Sequence, residues 1–296
     1  MDSLRAALRY GTFPLLALGA GGAVILLIGT NAPAWQPIAV FLLAILGMLA
    51  VERLIPYNAA WNDSHGDIGR DVMHFVVNSA LNHAGLLLLP ALASVAPFAE
   101  RWPHAWPFWL QVLASLLVLD LGIAAAHHAS HRWNGLWRFH AVHHSVKRLY
   151  GFNGLMKHPV HQAIETASGV LPLLFFGIPA DVASAVTLCV GIQLLLQHSN
   201  ADYRTGPFKY LFAIAEVHRF HHRKDAATGD VNFGLVTTLY DHLAGTFFFL
   251  PGGAPRHSSE LGVAGEANYP RGYLAQLMAP FHSSRGQEVG QGAAGL

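Results

Sequence analysis

The chain has 296 residues, of which 53% are hydrophobic and only 12% charged, with a net charge of +1. It has no basic patch for nucleic acid. Its single cysteine, Cys189, lies in an apolar run, which excludes a disulfide framework or a cysteine-ligated metal. Several apolar runs approach the roughly 20 residues needed to cross a ~30 Å hydrocarbon core, so the composition is that of an all-α polytopic membrane protein.

Arg5 and Arg9 precede the first apolar run, and no A-x-A-like cleavage site follows it, so 12–30 is expected to be an uncleaved first span. A second span is expected over 37–54. The polar stretch VERLIPYNAAWNDSHGDIGRD then leads to a third over 72–95, and the loop FAERWPHAWP to a fourth over 108–126. Four crossings return the chain to the side of its N-terminus. That side carries Arg5, Arg9, Arg53, Arg70, Arg132, Arg138, Lys147 and Arg148 against Arg101 on the other, and is therefore expected to be cytoplasmic. The compact loops suggest a bacterial inner membrane. Two further apolar runs, 159–178 and 182–197, meet at the turn GIPAD and are expected to form a helical hairpin that returns His198 to the cytoplasmic side. Residues 206–223 are expected as one interfacial helix and 230–246 as a compact segment packed on it. The Gly-rich end, SSRGQEVGQGAAGL, is expected to be disordered. No internal repeat is present. The expected division is an N-terminal transmembrane region (1–107), a catalytic region of membrane helices and a cytoplasmic histidine-rich helical cap (108–250), and a C-terminal loop and tail (251–296).

The fourth span runs into HHASHRWNGLWRFHAVHH, which holds six of the nineteen histidines, and HRFHH at 218–222 adds three more. His127 and His131 are an i, i+4 pair; His140, His143 and His144 form an i, i+3, i+4 set, which His218, His221 and His222 repeat. On helices such positions are neighbours, with Cβ atoms about 5–6 Å apart. Eight imidazoles exceed the four to six donors that one ion usually takes, and suit two ions. Imidazole suits iron, copper, nickel and zinc alike. There is no HExxH of a zinc protease, and no carboxylate in the clusters such as soluble di-iron bundles use. Neutral ligands leave a two-ion site cationic, which favours anionic oxygen species and points to an oxidative enzyme. A metal- or haem-binding protein or transporter is the alternative. Transport sites usually lie near the midplane of several spans, whereas these clusters lie at helix ends.

An aspartate seven residues before HxxxH, then LWRFHAVHHS, a KHP element, QHSN, HRFHH, DxNFG and DHLAGT, over roughly 120–246, together resemble the fatty acid hydroxylase and sterol desaturase superfamily. The resemblance implies a membrane-bound di-iron oxygenase that uses dioxygen and two electrons to hydroxylate or desaturate a sterol, fatty acyl or related isoprenoid lipid. It implies His127, His131, His140, His143, His144, His218, His221 and His222 as iron ligands, with His198 as a further one. Ala124, Ala125 and His128 depart from the family, which often has aromatic residues just before HxxxH and Arg after its first histidine. With no haem, flavin or second-domain motif, electrons are expected from a separate ferredoxin, cytochrome b5 or reductase.

Ligating histidines usually donate their other N–H to a carboxylate or carbonyl. Asp120, two turns before His127 in an apolar span, is expected to support the site, since an ionisable residue there is costly. His158, Asn200, Asp230, Asn232 and Asp241 are further expected supports, with turn chemistry as the competing role for Asp230, Asn232 and Asp241. His128 is expected beside the site rather than in it, His161 in a structural role, and His74 and His83 packed or facing lipid.

Overall fold

The computed structural model describes residues 2–266 and 268–282; the tail from 283 onward, expected to be disordered, lies outside the described residues. Among the described residues there are helices and isolated bridges but no strands. Five helices are long and apolar enough to cross a membrane: α1 (Asp2–Gly29), α2 (Trp35–Leu54), α3 (Ile68–Ala93, apolar to Leu89), α4 (Phe108–Arg132) and α7 (Ala180–His198). Between α4 and α7 lie α5 (Asn134–His144) and α6 (Pro159–Phe175). In α1, Pro14 supplies no N–H to the turn before it, and the helix widens to π geometry over Pro14–Ala20 before resuming. The multi-pass architecture is as expected; α6 and α7 are joined by the expected turn, where Gly177 N donates to Leu174 O at 2.9 Å, and along their lengths each packs on α4.

Contacts fix which helix ends lie together. Arg9 near the start of α1 pairs with Asp202, just beyond α7, at 2.6 Å. Tyr57, beyond α2, donates its N–H to Asn200 O at 2.8 Å. Asp67, ahead of α3, pairs with Arg148, beyond α5, at 2.8 Å. At the opposite end Phe98 donates its N–H to Phe175 O at 3.0 Å, so the α6–α7 turn meets the α3–α4 loop. All the clustered histidines sit at the first end, the one that holds the N-terminus.

Helix α7 is the axis of the bundle. Half of its apolar window is buried, the largest share among the five spans. Its Ile192 and Leu196 pack with Val24, Met48 and Ile214, and its Val182 and Val186 with Val112, Leu116 and Leu173. Leu42, Leu43, Leu46 and Val76 on α2 and α3 stay exposed, a distribution suited to acyl chains rather than water.

Helices α4 and α6 cross where Gly122 and Gly169 meet, as small residues allow. A Cβ on Gly122 would lie 2.2 Å from Ser168 O, and one on Gly169 2.8 Å from Leu119 O. Backbone cannot give way as a side chain can. Gly122→Ala is therefore expected to lower stability by roughly 1–3 kcal/mol, the range for overpacked cores. The drop would be read as a lower thermal midpoint in detergent, and an unchanged midpoint would show that the two helices part at no cost.

The expected interfacial helix over 206–223 is instead two short pieces, a 3-10 turn at Gly206–Tyr210 and α8 (Ala215–His221). Gly206 takes a positive φ of 58° and Pro207 follows it. The chain then extends to pair with the later loop, Ala213 N donating to Val236 O at 3.1 Å and Thr238 N to Leu211 O at 3.0 Å. Pairing to that loop displaces helical bonding over 211–214 because the loop's backbone groups need partners as well.

Candidate metal centre

Four helices converge on the site. The last two turns of α4 bring His127 and His131, α5 brings His140, His143 and His144, the last residue of α7 is His198, and α8 with the residue after it brings His218, His221 and His222. All nine are buried. They fall into two groups able to hold an ion: His127, His131, His140, His144 and His221; and His143, His198, His218 and His222.

The Nε2 atoms face one another. In the first group His127 Nε2 lies 3.1 Å from His140 Nε2 and 2.9 Å from His221 Nε2, and His144 Nε2 lies 3.0 Å from both. In the second, His198 Nε2 is 3.3 Å from His143 Nε2 and 3.2 Å from His218 Nε2, which is 3.1 Å from His222 Nε2. Two nitrogens each about 2.1 Å from an ion and at right angles lie about 3.0 Å apart, so the donor set fits a metal in each group. Protons cannot satisfy the inward-facing nitrogens together, because several already have their other nitrogen committed to an acceptor and so present lone pairs.

Those commitments are specific. His127 Nδ1 donates to Phe233 O at 3.0 Å, His221 Nδ1 to Val231 O at 2.9 Å, His143 Nδ1 to Met156 O at 3.1 Å, and His131 Nδ1 to Asp230 Oδ1 at 2.8 Å. His131 Nε2 is buried with no hydrogen-bond partner among the described residues, as a metal-directed nitrogen would be. Burial first, and neighbouring imidazoles second, hold His140, His143, His144, His218 and His222 well below the usual histidine range. Burial does the same to His221, with His131 the next contributor. A protein interior that keeps its imidazoles neutral keeps their lone pairs free for a metal.

Asp120 does not touch an imidazole. Its carboxylate accepts the N–H groups of Leu235, Val236 and Thr237, each at 2.8 Å, and the Thr237 hydroxyl at 2.6 Å. Asp241 accepts from Phe233 N at 2.7 Å and Gly234 N at 2.9 Å. The two carboxylates thereby shape the loop whose Phe233 carbonyl holds His127. Asn232, at a positive φ of 57°, donates to Val217 O and Phe248 O and so joins the loop to α8. Asn200 bonds Asn58 and Asn62, tying the α7 exit to the segment after α2. His158 caps α6, its Nδ1 accepting from Val160 N at 3.1 Å, and faces away from both groups. His128 stacks on Phe233 and bonds the Tyr240 hydroxyl at 3.0 Å, beside the site. His74 is buried between Lys157 O and Gln276 Oε1, while His83 is exposed.

Sequence reasoning gave His161 of α6 a structural role and passed over Glu165. His161 lies against His140, with ring centroids 4.4 Å apart, and donor atoms of His140, His161 and Glu165 lie within 4.8 Å of one another. The i, i+4 spacing of His161 and Glu165, and a carboxylate inside an apolar run, were the available signals.

Residues 112–246 match the family model described as fatty acid hydroxylase. An ornithine lipid hydroxylase, OlsE, from Rhizobium tropici is 34% identical over 267 residues, which cover 84% of this chain and 77% of that protein. The chain belongs to the fatty acid hydroxylase family. Alkylglycerol monooxygenases from Danio rerio and Homo sapiens are 27% and 25% identical over 146 and 150 residues, about half of this chain but only 31% and 32% of their own length. No solved structure matches the chain. As a member of the family it is a membrane-bound lipid oxygenase and hence an oxidoreductase. The transport and haem-carrier readings are not favoured.

Proposed function

We propose that the chain hydroxylates a membrane lipid of the ornithine-lipid type, using dioxygen and two electrons at a centre of two iron ions. The observation that carries this is the pair of buried all-imidazole groups with converging Nε2 atoms. His127, His131, His140, His144 and His221 would hold one iron, and His143, His198, His218 and His222 the other. Bound iron supplies the activation of dioxygen that attack on an unreactive C–H bond requires.

The chain's own groups do the rest. Backbone carbonyls of Met156, Val231 and Phe233 and the Asp230 carboxylate fix ring orientation and tautomer, so that each Nε2 faces inward before a metal arrives. Asp120 and Asp241 hold the loop that presents two of those carbonyls. Burial of all nine rings excludes water from the reacting region. The position of the histidine groups at the ends of the spans, where a chain lying in the bilayer can reach them, supports a lipid substrate. A separate one-electron carrier of the ferredoxin, cytochrome b5 or reductase type supplies electrons. The excess of arginine and lysine at the histidine end supports a cytoplasmic orientation in a bacterial inner membrane.

The test uses purified protein loaded with ferrous iron, a reductase system and an ornithine-lipid-containing extract under ¹⁸O₂. One labelled oxygen is expected in the lipid product, and only with reductant present. A lipid that loses two hydrogens while the label goes to water would mean desaturation instead, and label taken from H₂¹⁸O would mean hydration.

A further inference from the structure

We infer that His140, His161 and Glu165 bind one buried water molecule, and that through it Glu165 positions His140. This rests on the reading of His140 as an iron ligand. Nδ1 of His140, Nδ1 of His161 and Oε1 of Glu165 are each buried without a hydrogen-bond partner among the described residues. The three residues are 0%, 0% and 2% exposed, one ligand atom from each lies within 4.8 Å of the others, and His161 Nδ1 is 3.7 Å from Glu165 Oε2, too far for a direct hydrogen bond. Unpaired buried polar atoms are rare and costly, and a shared water is the usual remedy where three of them meet.

The protons can be assigned. The Ser130 hydroxyl donates to Ala126 O at 2.7 Å, so its oxygen accepts from His161 Nε2 at 3.0 Å. His161 therefore carries its proton on Nε2 and presents a lone pair at Nδ1. His140 directs Nε2 toward His127 and His144, so its Nδ1 carries the proton. Glu165 accepts from Lys157 through Oε2 and offers Oε1. One donor and two acceptors are what a single water satisfies, accepting from His140 and donating to His161 and Glu165.

A third metal ion would fit these atoms less well. His140 Nδ1 is protonated in this arrangement, which leaves only two donors, and the Lys157 ammonium already sits on Glu165. Every imidazole whose partner is resolved in the first group has an acceptor on its second nitrogen: Phe233 O for His127, Asp230 for His131 and Val231 O for His221. The water with Glu165 behind it gives His140 the same support, and makes Glu165 a positioning residue.

The test is iron affinity, measured anaerobically by chelator competition on the full chain loaded with ferrous iron, with Mössbauer spectra alongside. Glu165→Leu alone would leave Lys157 buried and unpaired, so it is combined with Lys157→Met. The double variant is expected to insert and fold, to release one of its two irons at roughly tenfold to hundredfold lower chelator concentration, and to change one of the two iron signals. His161→Phe, which fills the water's space, should weaken the same iron, and Lys157→Met with Glu165→Gln, which keeps an acceptor oxygen, should recover part of the affinity. Unchanged affinity for both irons in the folded Leu/Met variant would overturn the inference while leaving the two-iron reading standing. Wild-type protein that holds fewer than two irons would overturn both. Three irons per chain, one lost with Glu165, would replace the water with a metal.

Discussion

His221→Ala and His143→Ala, one from each histidine group, should each lose lipid hydroxylation by about a thousandfold or more, equivalent to ~4 kcal/mol in the barrier. His221 Nε2 lies within 3.0 Å of both His127 Nε2 and His144 Nε2, and His143 Nε2 within 3.3 Å of His198 Nε2. Alanine removes a donor that no nearby group can replace, since the other rings in each group already face the same point. Iron per chain should fall with activity in both variants. Membrane insertion should not change, because the apolar spans are left whole. His83→Ala, on the exposed face of α3, is the matched control and should behave as wild type. Full turnover and unchanged iron in either ligand variant would remove that residue from the centre.

Acidification should destabilise the metal-free protein steeply below about pH 6.5. In the unfolded chain the six histidines His140, His143, His144, His218, His221 and His222 titrate near their ordinary value of 6.5, while in the fold burial holds each well below it. As pH falls through 6.5 the unfolded state takes up protons that the folded state refuses, so unfolding gains about 1.4 kcal/mol per pH unit for each group. Six such groups give an upper bound of roughly 8 kcal/mol per unit, continuing until the lowered values are reached. Above pH 7 both states hold neutral rings and this contribution is complete. Metal binding adds to the effect, since protons compete for the same lone pairs. Thermal midpoints of the apo-protein should therefore be flat from pH 7 to 8 and drop sharply between 6.5 and 5. A midpoint unchanged over that lower range would show that the folded clusters accept protons as readily as the unfolded chain does.

The sequence by itself determined the membrane architecture and which histidines are placed to share helical faces. Apolar runs report directly on hydrocarbon thickness, and spacings of three and four report on a shared helical face, because both depend only on residues near in sequence. The nine histidines of the two all-imidazole groups are those the motifs and their resemblance select, and His161, which lies against His140, is not among them. Even the division between the two groups follows a helical rule. His140 and His144 share one group while His143 joins the other; likewise His218 and His222 share one while His221 joins the other. Residues four apart are nearly eclipsed on a helix, whereas adjacent residues such as His143 and His144 diverge by about 100°.

Only the tertiary structure decided what holds those rings. Asp120 lies at the right spacing to orient His127, yet its bonds go to Leu235, Val236 and Thr237, more than a hundred positions away. The acceptors for His127, His221 and His143 are backbone carbonyls, which every residue carries and which no side-chain pattern can mark. The break at 206–223 has the same origin: residues 211–214 give up helix to pair with a loop that the local sequence does not contain. Lys157, His161 and Glu165 read locally as a helix start and one turn. They become part of the site because Gly122 and Gly169 let α6 approach α4 closely enough to bring His161 against His140. Local spacing fixes which way a side chain faces along its own helix, and only the packing of helices against one another fixes what it meets there.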